Sequence, residues 1–343
     1  MQNKTTDCEK WYVENKGLYQ ACGETVKRLI ETLLEEKKIS YHSIQFRVKE
    51  KQSFLNKCQN KKYEDPISQI TDVCGLRIIT YTNHDVDKIK KIIEEEFKID
   101  KLHSVDKITQ MKEDQVGYLS THYIATINEE REELTEYHRY KDLKFEIQIR
   151  TLLQHAWAEI EHDRSYKFSG ELPGEMKRRF YLVAGTLELL DREFDRLSDE
   201  IDAYASEVRE ETEKGNLDEP INSTSLSEYL SIRLKDYGIE EKTFNGADRE
   251  IIGELQRFGI ETLDNLDKII DDKVLKKLRW PEKSNYLGAL RDVMMVADAE
   301  KYFEKAWQNH WNCMSKEDYE TIKKLNPDIE KYKEKLKILP RRN

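Results

Sequence analysis

No run of about 18 apolar residues occurs anywhere in the chain, so no segment reads as a membrane-spanning helix. Met1 to Lys16 is polar and lacks the apolar stretch of a secretory signal, which points to a cytosolic protein. Cysteine is sparse and scattered. Cys8, Cys22, Cys58, Cys74 and Cys313 are odd in number and form no C-x-x-C pair. That spacing excludes a disulfide framework and a structural zinc site, and free thiols in a reducing compartment are expected. No internal repeat of useful length is present. Apolar residues make up only 38% of the 343, which still suffices for a packed core. Charged residues reach 37%, a share that fits long solvated helices rather than disorder. A basic excess is also missing, since the net charge is -10. Most of the acidity is local: residues 186–214 hold 11 acidic and 4 basic side chains. Global charge therefore neither selects nor excludes a nucleic-acid partner.

What is present is patterned. Residues 7–37 carry apolar side chains at helical spacing, from Trp11 through Val26 and Ile30 to Leu34. Ile44 to Lys49 alternates like a strand with one buried face, and a short helix follows through Leu55. Val73 to Tyr81 is rich in β-branched residues and reads as a central strand. Val86 to Phe97 has helical spacing, Leu102 to Ile108 alternates weakly, and Tyr118 to Ile127 and Phe145 to Ile149 are further strands. Polar residues 128–141 suit a hairpin loop. Helices are expected over Thr151 to Arg164 and within 175–213. The order predicts an α+β or α/β domain with a mixed sheet of about five strands. Residues 214–225 read as a linker between a first domain, 1–215, and a second, 222–343. The second domain is helical in pattern throughout, with Gly238, Gly253 and Gly259 as expected helix stops.

Four segments carry candidate chemistry. Arg47, Lys49, Ser53 and Lys57 place three cations and a hydroxyl at a strand end and along the next helix, a set that suits a triphosphate. Asp72-x-x-Gly75-x-Arg77 opens the central strand. An Asp there can hold magnesium, the glycine admits a close ligand, and the arginine can stack on a base. Tyr118, Ser120 and His122 form a polar stripe on one strand face, where a tyrosine can stack on a nucleobase and a histidine can bond phosphate. Glu146, Gln148 and Arg150 line a strand face opposite Phe145, Ile147 and Ile149. His155, Glu159 and His162 fall on one helix face, but structural hydrogen bonding fits them better than a metal site.

In their order and spacing these segments resemble the synthetase domain of the RelA/SpoT family, whose members make the alarmones pppGpp and ppGpp. The likeness runs from Arg47 to Lys167. It is most specific from Glu146 to Lys167, which looks like the family's E-x-Q-I-R-T element followed by W-A-x-x-E-H-x-x-x-Y-K. The segment before Arg47 is too short for the family's hydrolase domain, so the chain looks most like the small alarmone synthetases. The resemblance implies a nucleotidyltransferase-like α+β fold, followed here by an all-helical C-terminal domain. It implies that Arg47 and Arg77 sandwich the adenine of ATP while Lys49, Ser53 and Lys57 hold its phosphates. It implies Mg2+ on Asp72 and Glu146, with Glu146 sharing that role or taking the proton of the attacking 3′-hydroxyl. Tyr118 would stack on the guanine of GTP or GDP, Ser120 and His122 would lie at the acceptor, and Gln148 and Arg150 would support the centre. The family also implies assembly through flanking helices, a possible homo-oligomer.

One departure concerns the acceptor. Family alarmone makers carry a basic residue directly after the stacking tyrosine and a Pro-Lys shortly before it. Here Leu119 follows Tyr118, and Glu113-Asp114-Gln115-Val116 precedes it, with Lys112 the nearest cation upstream. A toxic branch of the family resembles enzymes that pyrophosphorylate the 3′-CCA end of tRNA, which would not need those cations. Lys177-Arg178-Arg179 with Lys141 and Lys144 would then be candidates for the tRNA backbone. A catalytically silent nucleotide sensor acting through its C-terminal domain is the reading from another class. In that domain Gly259 and Thr262 suggest a helix-turn-helix joint, and Phe303, Trp307 and Trp311 an aromatic stripe facing a core.

Overall fold

The computed structural model describes residues 2–60, 63–106, 120–167, 173–237, 248–278 and 286–340; the side chains of residues 2–5, 162–167 and 248 lie outside that description. Tyr118, the segment from Lys112 to Leu119, and Gly238 are therefore outside the described residues. The chain divides into two compact units, Met1–Leu197 and Ser198–Asn343. The division falls within the helix Gly174–Glu213.

The first unit opens with helix α1 (Gln2–Glu36), followed by strand β1 (Ser43–Val48) and helices α2 (Lys51–Cys58) and α3 (Pro66–Gln69). Strand β2 (Cys74–Thr80), helix α4 (Asn83–Glu96) and strands β3 (Phe97–Ile99), β4 (Val105–Asp106) and β5 (Thr121–Ile127) come next. Two short helices, α5 (Glu129–Glu132) and α6 (Thr135–His138), precede strand β6 (Phe145–Thr151), helix α7 (Leu152–Lys167) and helix α8 (Gly174–Glu213). The sheet runs β1-β2-β6-β5-β3, with β4 also paired to β5. Among the described residues six strands pair and only β2 and β6 run parallel, so the mixed sheet expected from the sequence is present.

Its two faces differ sharply. Leu76, Ile78, Phe145, Ile147 and Ile149 are fully buried beside α1 residues Cys22, Val26, Ile30 and Leu34 and α4 residues Ile89 and Ile93 in one apolar core. Gly23 sets how closely α1 approaches. A Cβ there would lie 2.5 Å from Phe46 Cδ2 and 2.8 Å from Cys74 Sγ, so any side chain would push the helix off the sheet. The opposite face carries the polar residues of β1, β2, β6 and β5, and it is the face that matters for chemistry.

Several expectations need correction. Residues 128–141 are not a plain hairpin loop. Asn128 caps α5 by accepting from Arg131 N at 2.9 Å, Arg131 pairs with Glu96, and Tyr140 is fully buried. Within the weak alternation of 102–108, of which 107 and 108 lie outside the described residues, Val105–Asp106 form β4, while β3 occupies the end of the expected helix at Phe97. Gly253 lies inside helix Asp248–Arg257 and stops nothing, whereas Gly259, at φ 83°, ends that helix as expected.

The second unit has its own core, built by helices Ser223–Arg233, Asp248–Arg257 and Tyr286–Ala297 among others. Its described residues are mainly helical and include a two-strand parallel ribbon of β7 (Cys313–Ser315) and β8 (Lys337–Leu339). Residues 216–222 are less free than a linker. Ile221 N donates to Glu261 O at 2.9 Å, and Leu263 N donates to Glu219 O at 2.9 Å. Thr262 caps the next helix, accepting from Asn265 N at 3.3 Å. Trp307 and Trp311 follow a π-helical turn, Tyr302–Ala306, instead of sharing a helix face, but both pack on the core as expected. Four of the cysteines are buried and Cys313 is exposed, and none is joined in a disulfide. Among the described residues no helix is long and apolar enough to cross a membrane.

Candidate active site

Strand register brings the candidate residues together. Arg47 pairs across with Gly75, and Gly75 with Glu146, so three adjacent strands present Arg47, a gap and Glu146 in one row. The next row is Gln45, Arg77, Gln148 and His122. Partners opposite one another share a face, so both rows look into one cleft. The cleft is lined by Gln45, Arg47, Lys49, Asp72, Arg77, Glu146, Gln148 and Glu159, among others. Gly75 lies in the cleft wall, where a Cβ would sit 3.8 Å from Glu146 Oε2, an ordinary contact distance.

Asp72, just before β2, joins the basic set. Its Oδ2 accepts from Lys57 Nζ at 2.7 Å and lies 3.1 Å from Lys49 Nζ. Its Oδ1 is buried and has no hydrogen-bond partner among the described residues. Burial opposes ionisation of Asp72, but the Lys57 hydrogen bond and the Lys49 charge outweigh it and hold the carboxyl below its ordinary range. Burial likewise works against Lys57, and Asp72 more than restores its charge. Lys49 is fixed from behind, where Tyr12 OH donates to its carbonyl at 2.7 Å.

Glu146 is held at both ends. Oε1 lies 2.8 Å from His122 Nδ1, and Oε2 accepts from Gln148 Nε2 at 3.0 Å. Arg150 donates to Gln148 Oε1 at 2.8 Å, and Ser120 Oγ lies 2.7 Å from His122 Nε2. Burial raises the Glu146 pKa, yet the hydrogen bond and charge of His122 bring it below the ordinary carboxylate value. Both carboxylates are thus ionised at neutral pH.

Residues 46–171 match the region found in RelA / SpoT proteins. GTP pyrophosphokinase YjbM of Bacillus subtilis (strain 168) is 30% identical over 159 residues, which cover 45% of this chain and 71% of that protein. The chain belongs to the RelA/SpoT family. Among solved structures, the crystal structure of small alarmone synthetase 1 from Bacillus subtilis is 27% identical, with a TM-score of 0.48 over 57% of this chain and 99% of that one. A GTP pyrophosphokinase family protein from Streptococcus pneumoniae is 25% identical, with a TM-score of 0.47 over 57% of this chain and 96% of that one.

Most residues singled out from the RelA/SpoT motifs meet here. Arg47, Lys49, Asp72, Arg77, Glu146 and Gln148 line the cleft directly. Lys57, His122 and Arg150 reach it through hydrogen bonds to those residues. Ser53 is exposed on α2 and does not line the cleft. Ser120, expected at the acceptor, is 1% exposed and meets His122 instead. Gln45 and Glu159 also line this cleft, beyond the residues that the motifs point to. Gln45 lies two residues before Arg47 on the same face, which was a usable signal. Glu159 Oε1 accepts from Arg77 at 2.8 Å, a pairing across 82 positions that no local pattern announces. His155 Nδ1 lies 3.9 Å from the same Glu159. No group of three or more potential metal-ligating residues occurs among the described residues. Lys144 is bonded to Asp100 at 2.8 Å and Lys141 lies 3.5 Å from Glu132, so both face acidic neighbours.

Proposed function

We propose that this cleft transfers the β,γ-pyrophosphate of ATP to the 3′-hydroxyl of GTP or GDP, giving pppGpp or ppGpp and AMP. The reading makes the protein an ATP-dependent pyrophosphokinase. The observation that carries it is the pair of ionised carboxylates, Asp72 and Glu146, on neighbouring strand ends beside Lys49 and Lys57. The 3′-oxygen attacks the β-phosphorus, the bridge to the α-phosphate breaks, and AMP leaves. Glu146 takes the hydroxyl proton as general base. Lys49 and Lys57 bind the phosphates, and Arg47 and Arg77 flank the adenine. Such transfers gain chiefly from positioning and from neutralising charge around an in-line displacement.

The donor set also fits magnesium. Asp72 Oδ1 is a buried oxygen with no hydrogen-bond partner among the described residues, and Mg2+ favours a few carboxylate oxygens completed by water and substrate phosphate. Asp72, with Glu146, would hold the ion, which when bound neutralises phosphate charge.

A second reading keeps the donor chemistry and changes the acceptor to the 3′ end of tRNA. It is favoured by the sequence from Glu113 to Leu119, which lacks the cations that a guanosine 5′-polyphosphate would meet. Incubation with ATP labelled at the β-phosphate, together with GDP, GTP or deacylated tRNA, separates the two. Label in the guanosine nucleotide is the expected result. Label in tRNA alone moves the function to the second reading, and label in neither leaves a nucleotide sensor.

A further inference from the structure

The cations of the cleft are held by two different carboxylates. Lys49 and Lys57 sit on Asp72, whereas Arg77 is bonded to Glu159. We propose that Glu159 is a positioning residue: its carboxylate grips the edge of the Arg77 guanidinium, presents the flat face to the adenine of ATP and keeps that charge away from the phosphates. This deepens the proposed function and rests on its reading of Arg77 as an adenine contact.

Both ends of the pair are anchored. β2 is an inner strand, paired with β1 on one side and β6 on the other, so the backbone of Arg77 is fixed. Glu159 stands on α7, which starts directly after β6. Thr151 and Gln154 clamp that start. Thr151 N donates to Gln154 Oε1 at 3.0 Å, and Gln154 N donates to Thr151 Oγ1 at 3.1 Å. Gln154 Nε2 also donates to Asn83 Oδ1 at 3.1 Å, at the first residue of α4. Further along the same helix, Glu159 Oε1 accepts from Arg77 Nη1 at 2.8 Å. Among the described residues no other carboxylate pairs with Arg77. Arg47, the other expected adenine contact, is exposed on the edge strand β1 and has no ion pair among the described residues. One arginine is thus a fixed platform and the other a freer arm.

Charge explains why the platform needs a partner. ATP brings several negative charges into the cleft, and a guanidinium is a strong donor to phosphate. Without a counter-charge, Arg77 is drawn toward the triphosphate and leaves the base. A carboxylate bonded at the guanidinium edge opposes that pull. It also leaves the faces of the planar group open, and a face is what stacks on a base.

Calorimetric titration of the full chain with ATP, and separately with inorganic tripolyphosphate, in Mg2+ buffer tests the assignment. Glu159→Ala should weaken ATP binding about 2–5-fold, the scale of one exposed ion pair, and leave tripolyphosphate binding no weaker. In an Arg77→Ala background the same substitution should add nothing further. Glu159→Gln, which keeps an oxygen in place, should fall between wild type and Glu159→Ala. The Glu159 side chain is 59% exposed, so each variant should fold, and a melting curve checks this. In turnover, KM for ATP should rise by the same factor with a smaller change in kcat. ATP binding by Glu159→Ala equal to that of wild type overturns the proposal. So does an equal weakening of ATP and tripolyphosphate, or a loss that persists without Arg77. Where tripolyphosphate binds too weakly to measure, the Arg77→Ala background decides. Because binding needs no reaction, a chain that binds ATP in this Glu159-dependent way yet labels no acceptor would sustain the inference while the proposed function failed. A chain that binds no ATP would overturn both.

Discussion

Asp72 carries two lysines on one oxygen and, among the described residues, has no hydrogen-bond partner on the other. A residue placed this way contributes to folding through Oδ2 and to chemistry through Oδ1. Asp191 shows the reverse balance. It is 3% exposed, and burial with the nearby Asp195 and Glu188 charges raises its pKa from 3.8 to about 6, despite a hydrogen bond from Thr151. A raised carboxyl pKa means that the folded state favours the protonated form. The stability it contributes is complete below pH 3.8 and is lost as pH rises through about 6. Asp191→Asn should therefore remove that fall and leave the variant with the higher melting temperature at neutral pH. Melting curves of both proteins across the window check the sign. Asp72, whose pKa is lowered, acts oppositely: its contribution is present above its ordinary value and is lost as pH falls through the depressed one.

At the scale of elements, legibility depended on whether a signal was local. The central strand shows itself in Cys74–Thr80 because Ile78, Ile79 and Leu76 must be buried there. The Glu146-x-Gln148-x-Arg150 stripe alternates with Phe145, Ile147 and Ile149, so its polar face could be read directly. Strand β3 could not, because Phe97 continues the apolar spacing of α4 and only pairing with Ile127 turns it into a strand. Helices α5 and α6 hide in a polar stretch whose order comes from Asn128 and the Arg131–Glu96 ion pair. The Arg77–Glu159 contact was invisible for a similar reason, since strand and helix meet only in the fold. Gly23 makes a test of element packing. Alanine favours a helix over glycine by about 1 kcal/mol. Here, however, the added methyl would strike Phe46 and Cys74. Gly23→Ala should destabilise by about 1–3 kcal/mol in denaturant unfolding, the range for an overpacked core. A stabilised variant would show that α1 can shift outward freely.

At the scale of the whole molecule, two cores support two units, and the motifs that identify the family fall in the first. The second is pinned by a buried ionic group. Arg291 donates to Glu254 at 2.6 Å, Tyr302 OH donates to the same carboxylate at 2.9 Å, and the guanidinium also lies over the Trp311 ring at 5.2 Å. Arg291→Met leaves Glu254 buried without its counter-charge and should cost about 3–5 kcal/mol, read as loss of the second unit's unfolding transition midpoint. In the first unit the central claim concerns two carboxylates. The most direct measurement is pyrophosphate transfer from β-labelled ATP by wild type, Asp72→Asn and Glu146→Gln, each shown to be folded by its melting curve. The account predicts that each substitution lowers turnover by at least about 10²-fold, the scale of losing a general base or its charge-matched partner, with a far smaller effect on stability. Turnover near the wild-type value in either variant would contradict it.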